Sequence, residues 1–184
     1  ELAKIYSAMG ADELVFLDIT ATIENRRTLA ELVERISAEI NIPFTVGGGI
    51  SSIGDVALLL KAGADKISIN SAAVRKPALI TEMSREFGSQ CVVVAIDTNL
   101  VDSEWMVFVD GGRTPVNLRT LEWAEKITEL GAGEILLTSM QKDGTKDGFS
   151  LDITGDVSRL VNIPVIASGG AGIMEHFREV FRNT

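Results

Sequence analysis

The chain has a single cysteine and a single histidine in 184 residues. Cys91 therefore has no partner for an internal disulfide, and its place in the apolar run CVVVAID marks it as core rather than nucleophile. One Cys and one His cannot assemble a zinc site, and neither a metal nor a cofactor is expected. His176 falls within the last helical stretch and reads as a surface or helix-packing residue. Basic residues are scarce, 17 against 26 acidic, for a net charge of −9. That excludes the basic footprint of nonspecific nucleic-acid binding, although a local site on an acidic protein can still take an anion. No stretch approaches the ~20 apolar residues of a membrane span. No charged-then-apolar leader opens the chain, so a cytoplasmic protein is the expectation.

What the chain does have is a repeat. NIPFTVGGGI, residues 41–50, returns as NIPVIASGGAG at residues 162–172, with Pro43 and Pro164 121 positions apart. GADELVFLD from Gly10 and GAGEILLTS from Gly131 match at the same offset of 121. Each copy reads as a buried strand, a helical stretch, Ile-Pro, a second strand and a glycine turn, a duplicated β–α–β unit.

Between the copies the rhythm continues. Residues 13–19, 44–46, 66–70, 92–97, 134–139 and 165–167 read as strands, mostly continuous apolar runs covered on both faces. Residues 28–40, 52–62, 77–87, 118–130, 153–160 and the end of the chain read as helices, after an opening helical end at residues 2–9. Residues 102–113 break the pattern: 105–109 reads as a short strand in a long loop, and GGRTP as a hairpin. Strict alternation predicts a parallel sheet with right-handed crossovers, in one domain over residues 1–184. The offset predicts a repeating unit of four β/α modules, and two such units close a (β/α)8 barrel. Here six modules are present: counterparts of the strands ending at Asp97 and Asn70 would fall before residue 1 and past Thr184. Such an arc leaves open edges at residues 14–18 and 165–167, which predicts self-association.

In a barrel the active face is formed by strand ends and the loops after them. That places Asp18, Gly47–Gly49, Asn70, Asp97, Ser139, Asp143 and Ser168–Gly170 on one rim. The glycine turns at Gly48-Gly49 and Gly169-Gly170 precede helices, where backbone N–H groups face an anion. Two in phase imply two phosphate sites and a bis-phosphorylated substrate; the competing reading is that the glycines only make tight turns. Asp97 is a carboxylate at a buried strand end, suited to acid/base work or to an ion pair. Asn70 and Ser71 suit either a phosphate or the cap of the next helix. Asp143 and Gly144 lie in a polar nine-residue loop, QKDGTKDGF. At the opposite rim Glu13, Lys66 and Glu134 each open a strand.

LDIT, PFTVGGGI, GADKISINSAAV, VVVAID, GAGEILLTSMQKDGTKDGF and PVIASGGAG, in order along essentially the whole chain, closely resemble the cyclase subunit of imidazole glycerol phosphate synthase. The resemblance implies a lyase of histidine biosynthesis. It would use ammonia from a glutamine amidotransferase partner to split and cyclise a bis-phosphorylated ribulosyl-formimino aminoimidazole carboxamide ribotide. The products would be imidazole glycerol phosphate and aminoimidazole carboxamide ribotide. It further implies that Asp97 is the second of two acid/base aspartates, the first falling before Glu1. One phosphate would lie near Gly48, Gly49, Asn70 and Ser71, the other near Asp143, Gly144, Ser168, Gly169 and Gly170. Glu13, Lys66 and Glu134 would form the ammonia gate, without its arginine. A chain lacking these parts is expected to turn over little. The alternatives are the phosphoribosylformimino isomerase of the same pathway and a nonenzymatic barrel fragment that self-assembles.

Overall fold

The computed structural model describes residues 1–18 and 26–184. Its strands are β1 (Leu14–Leu17), β2 (Phe44–Gly47), β3 (Lys66–Ile69), β4 (Val92–Val101), β5 (Glu104–Val109), β6 (Thr114–Arg119), β7 (Glu134–Ser139) and β8 (Val165–Ser168). The helices are α1 (Leu2–Ala8), α2 (Arg26–Ser37), α3 (Ile53–Lys61), α4 (Ser71–Arg75), α5 (Ala78–Phe87), α6 (Thr120–Glu129), α7 (Leu151–Leu160) and α8 (Met174–Asn183). Ile19, the last residue of the expected strand 13–19, and Thr20 lie outside the described residues.

Six strands pair in parallel in the order β1-β2-β3-β4-β7-β8. The sheet curls as part of a (β/α)8 barrel, as the repeat predicts. Among the described residues, β1 pairs only with β2, and β8 only with β7.

Strand alternation divides the sheet into two faces. Phe44, Val46, Ile67, Ile69, Val92, Val94, Ile96, Ile135 and Leu137 pack under the helices in one continuous core. The helices contribute side chains at helical spacing, such as Trp123, Ala124 and Ile127 of α6 and Leu79, Ile80 and Met83 of α5. Each fully buried Leu, Ile, Val or Met contributes about 1.5–3 kcal/mol. The other face carries Thr45, Lys66, Ser68, Val93, Leu136 and Asp97, and curves around the barrel axis. It is dry at the central strands and open at the edge: Val93 is 1% exposed and Leu17 of β1 47%.

The irregular segment differs from its sequence reading. β4 runs four residues past Asp97 and turns back through Asp102 and Ser103, both at positive φ. The pairing Val101↔Glu104 makes this a two-residue hairpin, and a second turn leads from β5 into β6. The first turn has no Asn-Gly or Gly at its centre, the usual signal for that geometry. The helix expected over 118–130 accordingly starts at Thr120, since Leu118 and Arg119 complete β6. A short α4 and a 3-10 turn at Ser89–Cys91 were not read from the sequence.

Candidate functional site

Because the six strands are parallel, their C-terminal ends share one rim. β4 is central in the order, and its backbone at Asp97 is clamped on both sides. Asp97 pairs with Phe108 of β5 and with Thr138 of β7. The Cα of Asp97 is therefore fixed in position before any side-chain contact is counted. Asn70, at the end of β3, donates from Nδ2 to Asp97 Oδ2 at 2.9 Å. Burial pushes the Asp97 carboxyl above the usual carboxylate range; the Asn70 donor opposes this and the charge of Asp143 reinforces it. Asp97 is thus drawn toward the pH range in which a carboxyl can both give and take a proton.

On the β2/β3 side of Asp97 lie Gly48, Gly49, Asn70 and Ser71. Gly48 has φ 110°, and a Cβ there would stand 1.9 Å from the Asp18 carbonyl oxygen. Asp18 N–H donates to Gly47 O at 2.8 Å, so the ends of β1 and β2 lie against each other. Ser71 Oγ accepts the Asp110 N–H at 2.9 Å, and Arg75 pairs with the Asp110 carboxylate. The β5–β6 turn thereby sits on the start of α4, a neighbour that sequence reading did not supply.

On the β7/β8 side lie Asp143, Gly144, Ser168, Gly169 and Gly170. The loop after β7 is ordered by its own bonds, Asp143 N–H to Ser139 O at 2.9 Å and Thr145 N–H to Lys142 O at 3.0 Å. Gly148 N–H donates to Gly170 O at 2.8 Å, joining this loop to the β8 turn. A Cβ on Gly169 would meet Ser139 O at 2.9 Å. Gly169 stands 121 residues after Gly48, and Ser139 121 after Asp18, so both halves bring the same pair of strand ends together.

The structure thus brings the two glycine corners and Asp97 to one rim, with Asp97 between them. It does not place the Ser139 side chain there. Ser139 Oγ is buried on the helix-facing side of β7, 2.7 Å from Ser150 Oγ. Alternation dictates this, because Ser139 pairs with Thr98, whose hydroxyl meets Thr120 on the same face. His176 also has a local role: its Nδ1 accepts the Gly172 N–H at 3.1 Å at the start of α8. Cys91 is half-buried and free, and burial pushes its thiol up, away from a nucleophile's range.

At the opposite rim the three charges expected there form one cluster. Lys66 Nζ contacts Glu13 Oε2 at 2.9 Å and Glu134 Oε1 at 2.7 Å, and Thr45 Oγ1 donates to Glu13 Oε1 at 2.7 Å. Burial alone would pull the Lys66 ammonium down, but bonds and charge from Glu134 and Glu13 outweigh it and hold the group above its ordinary value. A raised lysine pKa stabilises fully below the unfolded value of about 10.4 and is lost as pH rises through the folded value. Its contribution is therefore complete at pH 7. Lys66→Ala leaves two part-buried carboxylates facing each other. It is expected to cost roughly 1–3 kcal/mol at pH 7, below the full buried-pair range because the cluster is partly solvated. Urea melts of the two proteins at pH 7 read this, and an unchanged midpoint would contradict it.

Comparison with known proteins adds to this geometry. The profile of the family described as histidine biosynthesis protein matches residues 1–184. An imidazole glycerol phosphate synthase subunit HisF from Cytophaga hutchinsonii is 60% identical over 181 residues, 98% of this chain and 72% of that protein. The subunit of the same name from Flavobacterium johnsoniae is 58% identical over 182 residues, 99% of this chain and 72% of that one. One from Bacillus cereus is 57% identical over 185 residues, covering 100% and 73%. Clustered strand ends, a repeat-related pair of glycine turns and identity of this extent agree: the chain belongs to the histidine biosynthesis protein family, among the HisF cyclase subunits of imidazole glycerol phosphate synthase.

Proposed function

We propose that this chain carries the ammonia-dependent cyclase chemistry of its relatives, with Asp97 as a proton-transferring group. The observation that carries the reading is the position of Asp97, fixed by strand pairing on both sides between two glycine corners of one rim. Each corner ends a strand and leads to a helix, so each offers N–H groups to one phosphate of a bis-phosphorylated substrate. The first corner comprises Gly48, Gly49, Asn70 and Ser71; the second comprises Asp143, Gly144, Ser168, Gly169 and Gly170. With its two phosphates anchored, the substrate would lie across β4, its reacting centre held over Asp97. That is how binding energy far from the chemistry becomes orientation at the reacting atoms.

The substrate is a ribulosyl-formimino aminoimidazole carboxamide ribotide in this reading. Ammonia would arrive from a glutamine amidotransferase subunit docked at the opposite rim. Glu13, Lys66 and Glu134 ring that end of the barrel axis and would gate the entry; ammonia is neutral and could pass such a ring once Lys66 swings from its two carboxylates. Asp97 would take a proton as nitrogen adds and return one as the imidazole ring closes.

The reading is tested in a chimera in which these residues replace the matching segment of the Bacillus cereus relative. Conversion of the bis-phosphorylated ribotide to imidazole glycerol phosphate, dependent on added ammonia, is the expected result. Ammonia-independent isomerisation would select the isomerase instead. No turnover from a folded chimera would reject both.

A further inference from the structure

Asn70 holds the last position before α4, where an asparagine ordinarily caps the helix with its own side chain. It does not do so here: no side-chain cap bond is made, and the amide is turned across to β4 instead. Its Nδ2 donates to Asp97 Oδ2 at 2.9 Å, while its Oδ1 is buried with no hydrogen-bond partner. An asparagine that leaves its helix uncapped and its carbonyl unpaired is poorly explained as a structural residue. A buried unpaired acceptor is a cost that native structures seldom carry without a functional reason. One of its two amide N–H groups is committed to the Asp97 carboxylate, so the side chain is oriented by Asp97.

We propose that Asn70 is the positioning residue of Asp97, fixing one carboxylate oxygen through its amide so that the other is presented to the substrate. This rests on the reading of Asp97 as the proton-transferring group. An amide suits the task in a way that lysine or arginine would not. It adds no charge to the site, so it orients the carboxylate without locking it permanently in the ionised form. It also explains the unpaired Oδ1. Once Asp97 has taken a proton, rotation of the amide about its last torsion brings Oδ1 to accept from the new O–H. Asn70 can then partner both states of the group, as donor to the carboxylate and acceptor from the acid. The opposing charge comes from Asp143, on the loop after β7; among the described residues no cation accompanies it.

The test is a carbon-13 NMR titration of the Asp97 carboxyl in the full chain, assigned by its disappearance in Asp97→Asn. Asn70→Ala removes a donor that favours the ionised form, so the Asp97 midpoint should move upward. Asn70→Asp, almost isosteric, places a second carboxylate against the first. It should raise the midpoint and divide the titration into two steps. A residue with a merely structural role would leave the midpoint in place, and an unmoved midpoint in both variants overturns the proposal. Asp97→Asn that keeps full turnover would sink the acid/base reading instead, while the NMR midpoint still decides whether Asn70 holds Asp97.

Discussion

Asp97→Asn should lower ammonia-dependent turnover about 10²–10⁴-fold, the usual contribution of a positioned acid/base group, and at the same time raise stability at neutral pH. The two effects share one cause. Burial and the Asp143 charge lift the carboxyl of the folded protein above its unfolded value, and the Asn70 donor only partly compensates. For an acid with a raised folded pKa, the folded state binds the proton more tightly than the unfolded state does. Stability is then greatest below the unfolded value of about 3.9 and falls as pH rises toward the folded value. Above the unfolded value, the ionised group therefore costs more in the folded protein than in the unfolded chain. Asparagine removes that charge, keeps the shape, and still offers an oxygen to Asn70 Nδ2. Thermal melts of the two proteins should therefore diverge at pH 7 and converge near pH 3.5. Unchanged turnover, or a variant less stable than its parent at pH 7, would remove Asp97 from the site proposed here.

Asp97 was visible in the sequence because VVVAID ends a buried run in a carboxylate, and the strand that positions it could be read from hydrophobicity alone. Its partner was not. Asn70 lies 27 residues away, and its type suited a helix cap equally well; only the curl of the sheet, which sets β3 beside β4, turns the amide toward Asp97. The same division runs through the rest of the chain. Six parallel strands and the repeat followed from period and offset. The β4–β5 turn did not, because Asp102 and Ser103 adopt positive φ without glycine. Ser139 was assigned to the rim from its place at a strand end, but a strand end carries two faces and its side chain takes the other one.

The repeat reaches further into the structure than the matched motifs suggest. Ser51 N–H is held by Asp55 Oδ2 at the start of α3, and Gly172 N–H by His176 Nδ1 at the start of α8. Both residues of the second pair stand 121 after those of the first. The lone histidine is thus the counterpart of a helix-starting aspartate. The accepting geometry is the same, with an imidazole nitrogen in place of a carboxylate oxygen. The Asp55 carboxylate takes the N–H groups of both Ser51 and Ser52, whereas the His176 ring nitrogen takes only that of Gly172.

A graded alanine series tests what the glycine turns are for, and it should contain the largest stability losses in the chain. Gly48 combines φ 110° with a Cβ position 1.9 Å from the Asp18 carbonyl oxygen, a backbone atom that cannot rotate away. Gly48→Ala must therefore push β2 from the end of β1, and a loss of roughly 3–5 kcal/mol is expected. Gly169→Ala makes the repeat-related contact, but at 2.9 Å from Ser139 O and φ 89°, so the shift required is smaller and about 2–3 kcal/mol is expected. Gly144→Ala has φ 76° with no atom within 4 Å, which isolates the backbone strain at about 1 kcal/mol. Gly54→Ala, in α3 with its nearest neighbour Ser52 Oγ at 3.7 Å, should be neutral or gain about 0.5–1 kcal/mol, as alanine favours the helix. Denaturant melts give the order directly. If Gly48→Ala and Gly169→Ala weaken phosphate binding while leaving stability untouched, the glycines serve the ligand alone. If stability falls in the stated order, close approach of strand ends selects glycine first. The turn N–H groups that suit a phosphate are then a consequence of how tightly the two halves of the repeat are turned.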